Sequence, residues 1–296
     1  MSASSSEIAA VSGRPGALPG SLIWRTVSRG EGLVGTLMIL AVLLLVLVGP
    51  AVAPHASSDF VGKPYNSPSA TAWLGTDYQG HDVLSGVLHG GMLILGVAGG
   101  GLAISIGMAT LFGLFAGTFP GWRSTAALRL LDVALIFPPI VLGLLVLTRA
   151  GTSPWLLLLL TVATQFPSSA RIFWAAARAV GQEDYIESAR SLGLSKWELV
   201  TREVAPNIVA PILAEIPIRF AYCIAIVATL AFLGFGAEPP AVDWGTMINQ
   251  NKGGLTLQPW PVVAPVFCIA VITVGANLLA DALRTRLTSK SGSGTI

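Results

Sequence analysis

Charged side chains are scarce in this sequence. Asp, Glu, Lys and Arg make up 11% of its 296 residues, 53% are apolar, and the mean hydropathy is +0.73. Soluble globular domains average about 25% charged residues, so this chain cannot cover a water-soluble surface and falls in the membrane class. The net charge of +2 argues neither for nor against a nucleic-acid partner.

Residues that hold metals or perform catalysis are also few. The two cysteines, Cys223 and Cys268, lie inside apolar runs, and the spacing of His55, His81 and His89 indicates no metal site. No G-x-x-x-x-G-K-[ST] phosphate loop occurs, which excludes ATP binding by that route. No nucleophile elbow, zinc helix or paired-carboxylate site is present either. We therefore expect neither catalysis nor a cofactor in this chain.

Six long apolar runs predict six transmembrane helices, because a spanning helix needs about 20 mostly apolar residues. The predicted spans are Leu33–Ala53, Leu93–Phe119, Ala126–Leu147, Trp155–Trp174, Val209–Phe235 and Pro261–Leu283. Ala51-Val52-Ala53 also resembles a signal-peptidase site, but its apolar run is longer than a usual signal core. The fold class expected is an all-α membrane protein.

The distribution of Lys and Arg predicts the orientation. Six spans place the two termini on one side with the second-to-third and fourth-to-fifth connections. That side holds 13 basic residues: Arg14, Arg25, Arg29, Arg123, Arg129, Arg171, Arg178, Arg190, Lys196, Arg202, Arg284, Arg286 and Lys290. The other side holds 3, namely Lys63, Arg149 and Lys252. The positive-inside rule then puts both termini in the cytoplasm.

This topology divides the chain into a membrane domain and two tails. Residues 1–30, rich in Ser, Gly, Ala and Pro, are expected to form a cytoplasmic N-terminal tail, and residues 289–296 a C-terminal tail. The membrane domain then covers 31–288, with a cytoplasmic loop at about 179–208 and an outer loop at about 237–260.

The cytoplasmic loop has more internal structure than a simple connection needs. One helical face is predicted from the spacing of Tyr185, Ile186, Ala189 and Leu192. Gly193 suits the left-handed turn that ends a helix, Ser195 and Glu198 form a capping box for a second helix, and Pro206 closes the segment. The loop is therefore interpreted as a docking element for a cytoplasmic partner, the alternative being an amphipathic helix on the lipid surface.

This loop carries a resemblance to a known family. Glu187-Ser188-Ala189, followed by Gly193 and Pro206, resembles the EAA loop of ATP-binding-cassette importer permeases. In that family the loop is a coupling helix that sits in a cleft of the ATPase subunit. The ATPase-coupling residues implied are Glu183, Tyr185, Glu187, Ser188, Ala189, Arg190, Leu192, Gly193 and Pro206.

Further segments, in the same order as in the family, resemble the C-type subunit of dipeptide and oligopeptide permeases. Residues 73–85 resemble LGTDxxGRDVLSR, with His81 in place of the family's arginine. Residues 129–139 resemble the third span, 232–247 resemble FLGxGxxPPxxxWGxM, and 277–284 resemble NLLGDGLRD. The resemblance covers residues 73–284, over two thirds of the chain.

The resemblance implies a type I ABC importer permease with six spans. Its expected partners are a second permease, two ATPase subunits (or one fused ATPase) that bind ATP and Mg²⁺, an extracytoplasmic binding protein, peptide cargo and lipid; no nucleic acid is expected. A nickel-chelate importer stays open as an alternative. An ion-coupled transporter would need central buried carboxylates and an internal repeat, and a membrane enzyme would need a convergent polar site.

Ionisable residues within membrane spans are candidates for function. Asp132, three residues after Arg129, and the pair Glu215 and Arg219, four residues apart, are predicted either to pair with each other or to line the translocation cavity. Trp244 lies in the outer loop, which the resemblance makes a folded-in scoop near the cavity mouth. Interfacial tryptophans of a membrane belt are the alternative.

Glycine and proline mark the remaining features. Gly96-x-x-x-Gly100 and Gly113-x-x-x-Gly117 favour close helix packing, either within the subunit or against a sister permease. Pro138-Pro139 and Pro167 are expected to break the helical hydrogen-bond ladder within the third and fourth spans, as static kinks or as flexing points.

Overall fold

A computed structural model describes residue 24 and residues 26–292, with side chains as far as residue 286. Most of the predicted N-terminal tail and the end of the C-terminal tail lie outside this range. The ten α-helices that it contains are α1 Glu31–Val52, α2 Val83–Thr118, α3 Trp122–Ile136, α4 Pro139–Ala150, α5 Pro154–Val180, α6 Asp184–Ser191, α7 Lys196–Glu198, α8 Ala205–Leu230, α9 Trp244–Asn251 and α10 Trp260–Gly292. In the described residues, β pairing is limited to isolated bridges from Phe60 to His81 and from Thr76 to Asp82.

Five helices are long and apolar enough to cross a membrane: Glu31–Val52, Val83–Thr118, Pro154–Val180, Lys196–Phe235 and Trp260–Arg286. A bent pair, α3 and α4, makes six when it is counted as one broken span. The all-helical, six-span fold class is therefore confirmed.

The third span differs from the continuous helix predicted at Ala126–Leu147. Its two halves meet at an angle of 81°. Phe137 and Pro138 have extended backbone between them, and Pro139 begins α4. A proline has no N–H to donate and restricts the preceding residue to extended conformations, so Pro138-Pro139 ends one helix and starts the next.

The second span is longer than predicted, since α2 begins at Val83 rather than Leu93. Asp82 caps it by accepting a hydrogen bond from the backbone N–H of Ser85 at 3.0 Å. The apolar run used to predict the span does not include this first part of α2, because His89, Gly90 and Gly91 interrupt it.

The fourth span continues through Pro167 as one helix, and Pro167 has no N–H with which to bond the carbonyl four residues earlier. Pro167 is buried inside α5, whose helix continues to Val180. Membrane helices tolerate such prolines when neighbouring groups satisfy the freed carbonyl. Helix α10 likewise continues past residue 289, where the C-terminal tail was predicted to begin.

Close packing of α2 on α5 forms the centre of the bundle. A Cβ atom at Gly113 would lie 2.6 Å from Cβ of Phe173, and one at Gly117 would lie 2.8 Å from Cβ of Ala177. The second glycine motif therefore packs within the subunit. Gly96 has no atom within 4 Å of its Cβ position, so the first motif leaves one glycine uncovered here.

Two apolar clusters hold α9 and α6 at opposite ends of the helix bundle. The larger cluster contains Trp244 of α9 and Val87 of α2, which mark what we call the α9 end of the bundle. The second contains Ile186 of α6, Leu114 of α2 and Ala177 of α5, at what we call the α6 end. The loop with the EAA-like residues thus has its own buried base.

Candidate coupling element and intramembrane charge network

Helix α6 ends in the glycine turn that the sequence predicts. Gly193 has φ +85°, a left-handed conformation that suits glycine. The Leu194 N–H donates to the Ala189 carbonyl at 3.3 Å, and the Gly193 N–H donates to the Arg190 carbonyl at 3.0 Å. These two bonds form a Schellman motif, which closes α6 and turns the chain sharply.

The capping box after the turn is also present. The Glu198 N–H donates to Ser195 Oγ at 3.3 Å, and the Ser195 N–H donates to Glu198 Oε2 at 3.2 Å. This reciprocal pair satisfies two backbone donors at the start of α7. The predicted succession of helix, elbow and helix is confirmed.

Helix α6 has a buried face and an open face, and the predicted apolar face is only half right. Ile186 is fully buried, and Ala189 packs against the same cluster. Tyr185 and Leu192 were placed on that face but are 44% and 82% exposed. A helix of eight residues has little area to bury, and Leu192 falls beyond its last turn.

The open face of α6 combines acidic and apolar groups. Glu183, Glu187 and Ser188 are exposed beside Tyr185. The Tyr185 hydroxyl accepts a hydrogen bond from Asn207 Nδ2 at 3.1 Å, which orients the ring. Partial burial raises the pKa of Tyr185 above its usual value, and the nearby Glu183 carboxylate raises it further. The phenol is therefore neutral at ordinary pH.

Arg190 points back into its own chain. Its Nη2 donates to the carbonyl oxygen of Thr118, the last residue of α2, at 3.0 Å. Its guanidinium lies 5.9 Å from the ring centre of Phe119. Arg190 was grouped with the residues predicted to face an ATPase, and the structure gives it intramolecular contacts.

Pro206 does not stop the helix, so its predicted role as the end of the segment is wrong. The chain passes from α7 through a π-helical stretch, Leu199–Val204, directly into α8. The Ala205 N–H bonds to the Val200 carbonyl, five residues earlier, and Pro206 follows in the first turn of α8. Widening the helix before a proline accommodates the residue that cannot donate a hydrogen bond.

Glu215 and Arg219 form the predicted pair within the fifth span. Arg219 Nε donates to Glu215 Oε2 at 2.8 Å, and both side chains are nearly buried, at 13% and 9% exposure. Arg219 Nη2 also donates to Ser168 of α5 at 2.8 Å. Arg284 of α10 approaches Glu215 Oε1 to 3.9 Å. The network therefore joins three spans, α5, α8 and α10.

Asp132 pairs with Arg171 of α5, not with Arg129 as predicted. The pairing crosses between α3 and α5, and both side chains stay about half exposed, at 46% and 55%. The sequence shows which charges stand near each other along one helix. It does not show which neighbouring helix supplies the partner.

Trp244 does not line a cavity in this structure. Its ring is fully buried, and its Nε1 donates to the Val87 carbonyl at 2.9 Å. Gly90 and Gly91 leave room for the ring, since Cβ atoms there would lie within 3 Å of it. A large apolar ring with one satisfied donor belongs in a protein core.

Four residues that pair with or cap these elements were not predicted as site residues from the sequence: Ser168, Arg171, Asp243 and Arg284. Asp243 is buried and caps α9, accepting from the Thr246 N–H at 3.0 Å. The order Asp-Trp-Gly-Thr, an N-cap type before a helix, is a signal that could have identified it. The other three act across helices and leave no local pattern. Among the described residues no three His, Cys, Asp or Glu side chains converge as metal ligands.

Comparison with known proteins decides what these elements belong to. Residues 109–289 match the model of the family described as binding-protein-dependent transport system inner membrane component. The chain belongs to this family. It is a permease subunit of an ABC-type importer rather than an enzyme, and the resemblance found in the sequence is confirmed.

Individual relatives cover most of the chain. It is 30% identical over 272 residues to the glutathione transport system permease protein GsiD of Pectobacterium atrosepticum, covering 90% of each chain. It is 31% identical to GsiD of Escherichia coli, over 90% of this chain and 89% of the relative. The dipeptide transport system permease protein DppC of Alkalihalophilus pseudofirmus is 29% identical over 87% of this chain and 85% of its own length.

Proposed function

We propose that this chain is the transmembrane subunit that moves dipeptides or short oligopeptides into the cytoplasm, driven by partner ATPases. The cargo rests on the relatives, which are named as glutathione and dipeptide permeases. Glutathione is itself a small peptide, so both names indicate one chemical class of cargo. Alternating access, with ATP and Mg²⁺ held by the ATPases, supplies the energy from outside this chain.

The coupling role of residues 179–208 rests on one observation above others. Helix α6 buries Ile186 in its own subunit while Leu192, at 82% exposure, and the acidic residues beside it remain uncovered. Exposed apolar groups that lie together among polar residues mark protein-binding surfaces, and Tyr185, 44% exposed, is seven residues from Leu192, the spacing of one helical face. The ATPase contacts proposed are Glu183, Tyr185, Glu187, Ser188 and Leu192. The turn at Gly193 sets the direction of α6 relative to the helix that follows.

The orientation follows from the excess of basic residues on one side. We place the α6 end, together with both termini, in the cytoplasm of a bacterial cell. The α9 end, with residues 237–260, then faces the extracytoplasmic binding protein. A second, homologous permease completes the pathway.

The proposed cavity residues have different roles. Asp132, half exposed with its partner Arg171, is available to water and to the charged termini of a peptide. Glu215 and Arg219 are nearly buried and fully engaged, so we assign them to holding α5, α8 and α10 together.

Two glycines provide a matched test of the coupling role. Gly193 and Gly151 have φ of +85° and +83°, and neither has an atom within 4 Å of its Cβ position. Gly193→Val and Gly151→Val therefore both introduce backbone strain, at opposite ends of the bundle. The control is the more strained of the two, because Gly151 has ψ −179°, a region that is essentially restricted to glycine. Each tagged variant is co-expressed with the ATPases and the second permease, purified in mild detergent, and its companions are identified by mass.

We expect the ATPases to be retained by wild type and by Gly151→Val, and to be lost from Gly193→Val while the second permease stays bound. Equal retention of the ATPases by all three would remove the coupling role of this loop. For the cargo, reconstituted complex should take up labelled dipeptide with ATP. If the complex takes up a nickel chelate and not peptide, the chain is a subunit of a nickel-chelate importer and the peptide cargo is wrong.

A further inference from the structure

The coupling loop contacts the end of the second span, a helix to which it is not joined in sequence. We call this set of side-chain contacts the grip. Three side chains of the loop are involved, Arg190, Lys196 and Trp197, and they contact Phe115 and Thr118 of α2 and Phe119, which follows it. The loop is covalently continuous only with α5 and α8. The grip therefore provides a separate mechanical connection.

The first part of the grip is a cap supplied by Arg190. The last four carbonyls of a helix have no intrahelical partner, and a cation there also interacts favourably with the helix dipole. Helix α2 has 36 residues and no basic residue in its own last turn. Arg190 supplies that charge from α6, with its Nη2 3.0 Å from the Thr118 carbonyl oxygen.

The second part is aromatic. Phe119, the residue that follows α2, has two cations near its ring: the Arg190 guanidinium at 5.9 Å and the Lys196 ammonium at 5.6 Å. One turn earlier, Phe115 stacks on Trp197 with ring centres 5.9 Å apart. A cation near an aromatic face is attracted by the ring quadrupole, so both sides of the Gly193 elbow hold the same helix end.

Buried apolar packing between α6, α2 and α5 makes this connection more rigid. Below the grip, Ile186 of α6 packs in one cluster with Leu114 of α2. Gly117 brings α2 so close to α5 that an added Cβ would lie 2.7 Å from the Trp174 carbonyl oxygen. Movement of the loop relative to α2 would have to break these contacts together.

We propose that Arg190 is a positioning residue of transport, which makes the second span move with the coupling loop when the ATPases close. This inference rests on the proposed coupling role of the loop. It separates Arg190 from the neighbouring residues of α6, because Arg190 acts inside the permease and not on the ATPase surface.

The test uses the assembled importer in liposomes, with dipeptide and binding protein supplied, and three variants. Arg190→Gln removes the charge and part of the donor fork. Arg190→Lys keeps the charge. Arg202→Gln is the matched control, because Arg202 is in the same loop but is 70% exposed and pairs only with Glu198 in the described residues. Bound ATPase, ATP hydrolysis and peptide delivered per ATP are measured for each.

Arg190→Gln should keep its ATPases and hydrolyse ATP while delivering about tenfold less peptide per ATP, the size of effect expected for one lost charge-assisted hydrogen bond. Arg190→Lys should recover part of the delivery, and Arg202→Gln should match wild type. Unchanged delivery by Arg190→Gln overturns the inference. So does loss of its ATPases, because Arg190 would then be an ATPase contact.

A second variant covers the case in which Arg190→Gln is not recovered as a folded chain. Phe119→Leu keeps an apolar side chain at the end of α2 but removes the ring face from both cations, and it should lower peptide delivery per ATP with the ATPases bound. Normal delivery by Phe119→Leu would count against the grip. Wild-type chain that brings down no ATPase would instead remove the proposed function itself, and this inference with it.

Discussion

The indole N–H of Trp244 donates to the Val87 carbonyl oxygen at 2.9 Å, joining the short helix α9 to the start of the second span. Val87 and Trp244 are 157 residues apart in the chain, so this bond fixes the outer loop to the bundle. The ring fills the space left by Gly90 and Gly91.

Trp244→Phe should keep most of the packing and lose the hydrogen bond, lowering the free energy of unfolding by about 1 kcal/mol. Trp244→Ala should cost about 3–5 kcal/mol, because it also leaves a cavity. Unfolding of the purified chain in detergent measures both. Equal effects of the two substitutions would contradict the core position assigned to the ring.

The buried pair Glu215 and Arg219 should show strong coupling in a double-mutant cycle. Removing one partner leaves an unpaired buried charge, which costs about 3–5 kcal/mol. Arg219→Met and Glu215→Met are each expected to destabilise the chain by that amount, and the double variant by less than either.

The control for this cycle is Ser168→Ala, which removes only one acceptor from Arg219 and should cost about 1–3 kcal/mol. Additive losses in the double variant would mean that the two charges do not depend on each other, contrary to their 2.8 Å contact.

Asp132 and Arg171 should behave differently because they are half exposed. Asp132→Asn is expected to change stability by less than about 1 kcal/mol, as exposed ion pairs do. If Asp132 faces the cavity, the same variant lowers peptide uptake in liposomes. The double variant Asp132→Arg with Arg171→Asp keeps the ion pair but reverses it. It therefore shows whether uptake needs the ion pair itself or a carboxylate at position 132. Normal uptake by Asp132→Asn would exclude a cavity role.

The two glycine motifs of α2 should respond oppositely to alanine. Gly113→Ala places a Cβ 2.6 Å from Phe173, and such overpacking typically costs about 1–3 kcal/mol. Gly96→Ala meets no atom within 4 Å in this subunit and should be neutral or stabilising, by up to about 1 kcal/mol. Weaker recovery of the second permease with Gly96→Ala would place that glycine at the permease–permease contact.

The sequence predicts the features that depend on local chemistry. The elbow at Gly193, the capping box at Ser195 and the pairing of Glu215 with Arg219 are set by residue type and spacing along one helix, and the structure agrees. Failures occur where three-dimensional neighbours decide. Asp132 pairs across to Arg171, Trp244 turns into the core, and Arg190 reaches Thr118, 72 residues away in the chain.

The failure at Pro206 has a different cause. A proline normally ends a helix, but the rule holds for a regular helix, and here one turn of π-helix absorbs the missing hydrogen bond. Residue type and spacing predict that the helix ends at Pro206. They do not predict the π-helical turn that lets the helix continue.

The passage through Pro206 makes residues Lys196–Phe235 a continuous helical segment of 40 residues, with π-helical stretches at Leu199–Val204 and Ala231–Phe235. Its α-helical part, the 26 residues Ala205–Leu230, is about 39 Å long at about 1.5 Å per residue, more than the hydrocarbon thickness of about 30 Å that it has to cross. One end of the whole segment begins at the capping box of the coupling loop and the other ends just before the outer loop. We therefore expect a displacement of the end near the capping box to reach the opposite membrane surface through continuous helix, without passing through a loop.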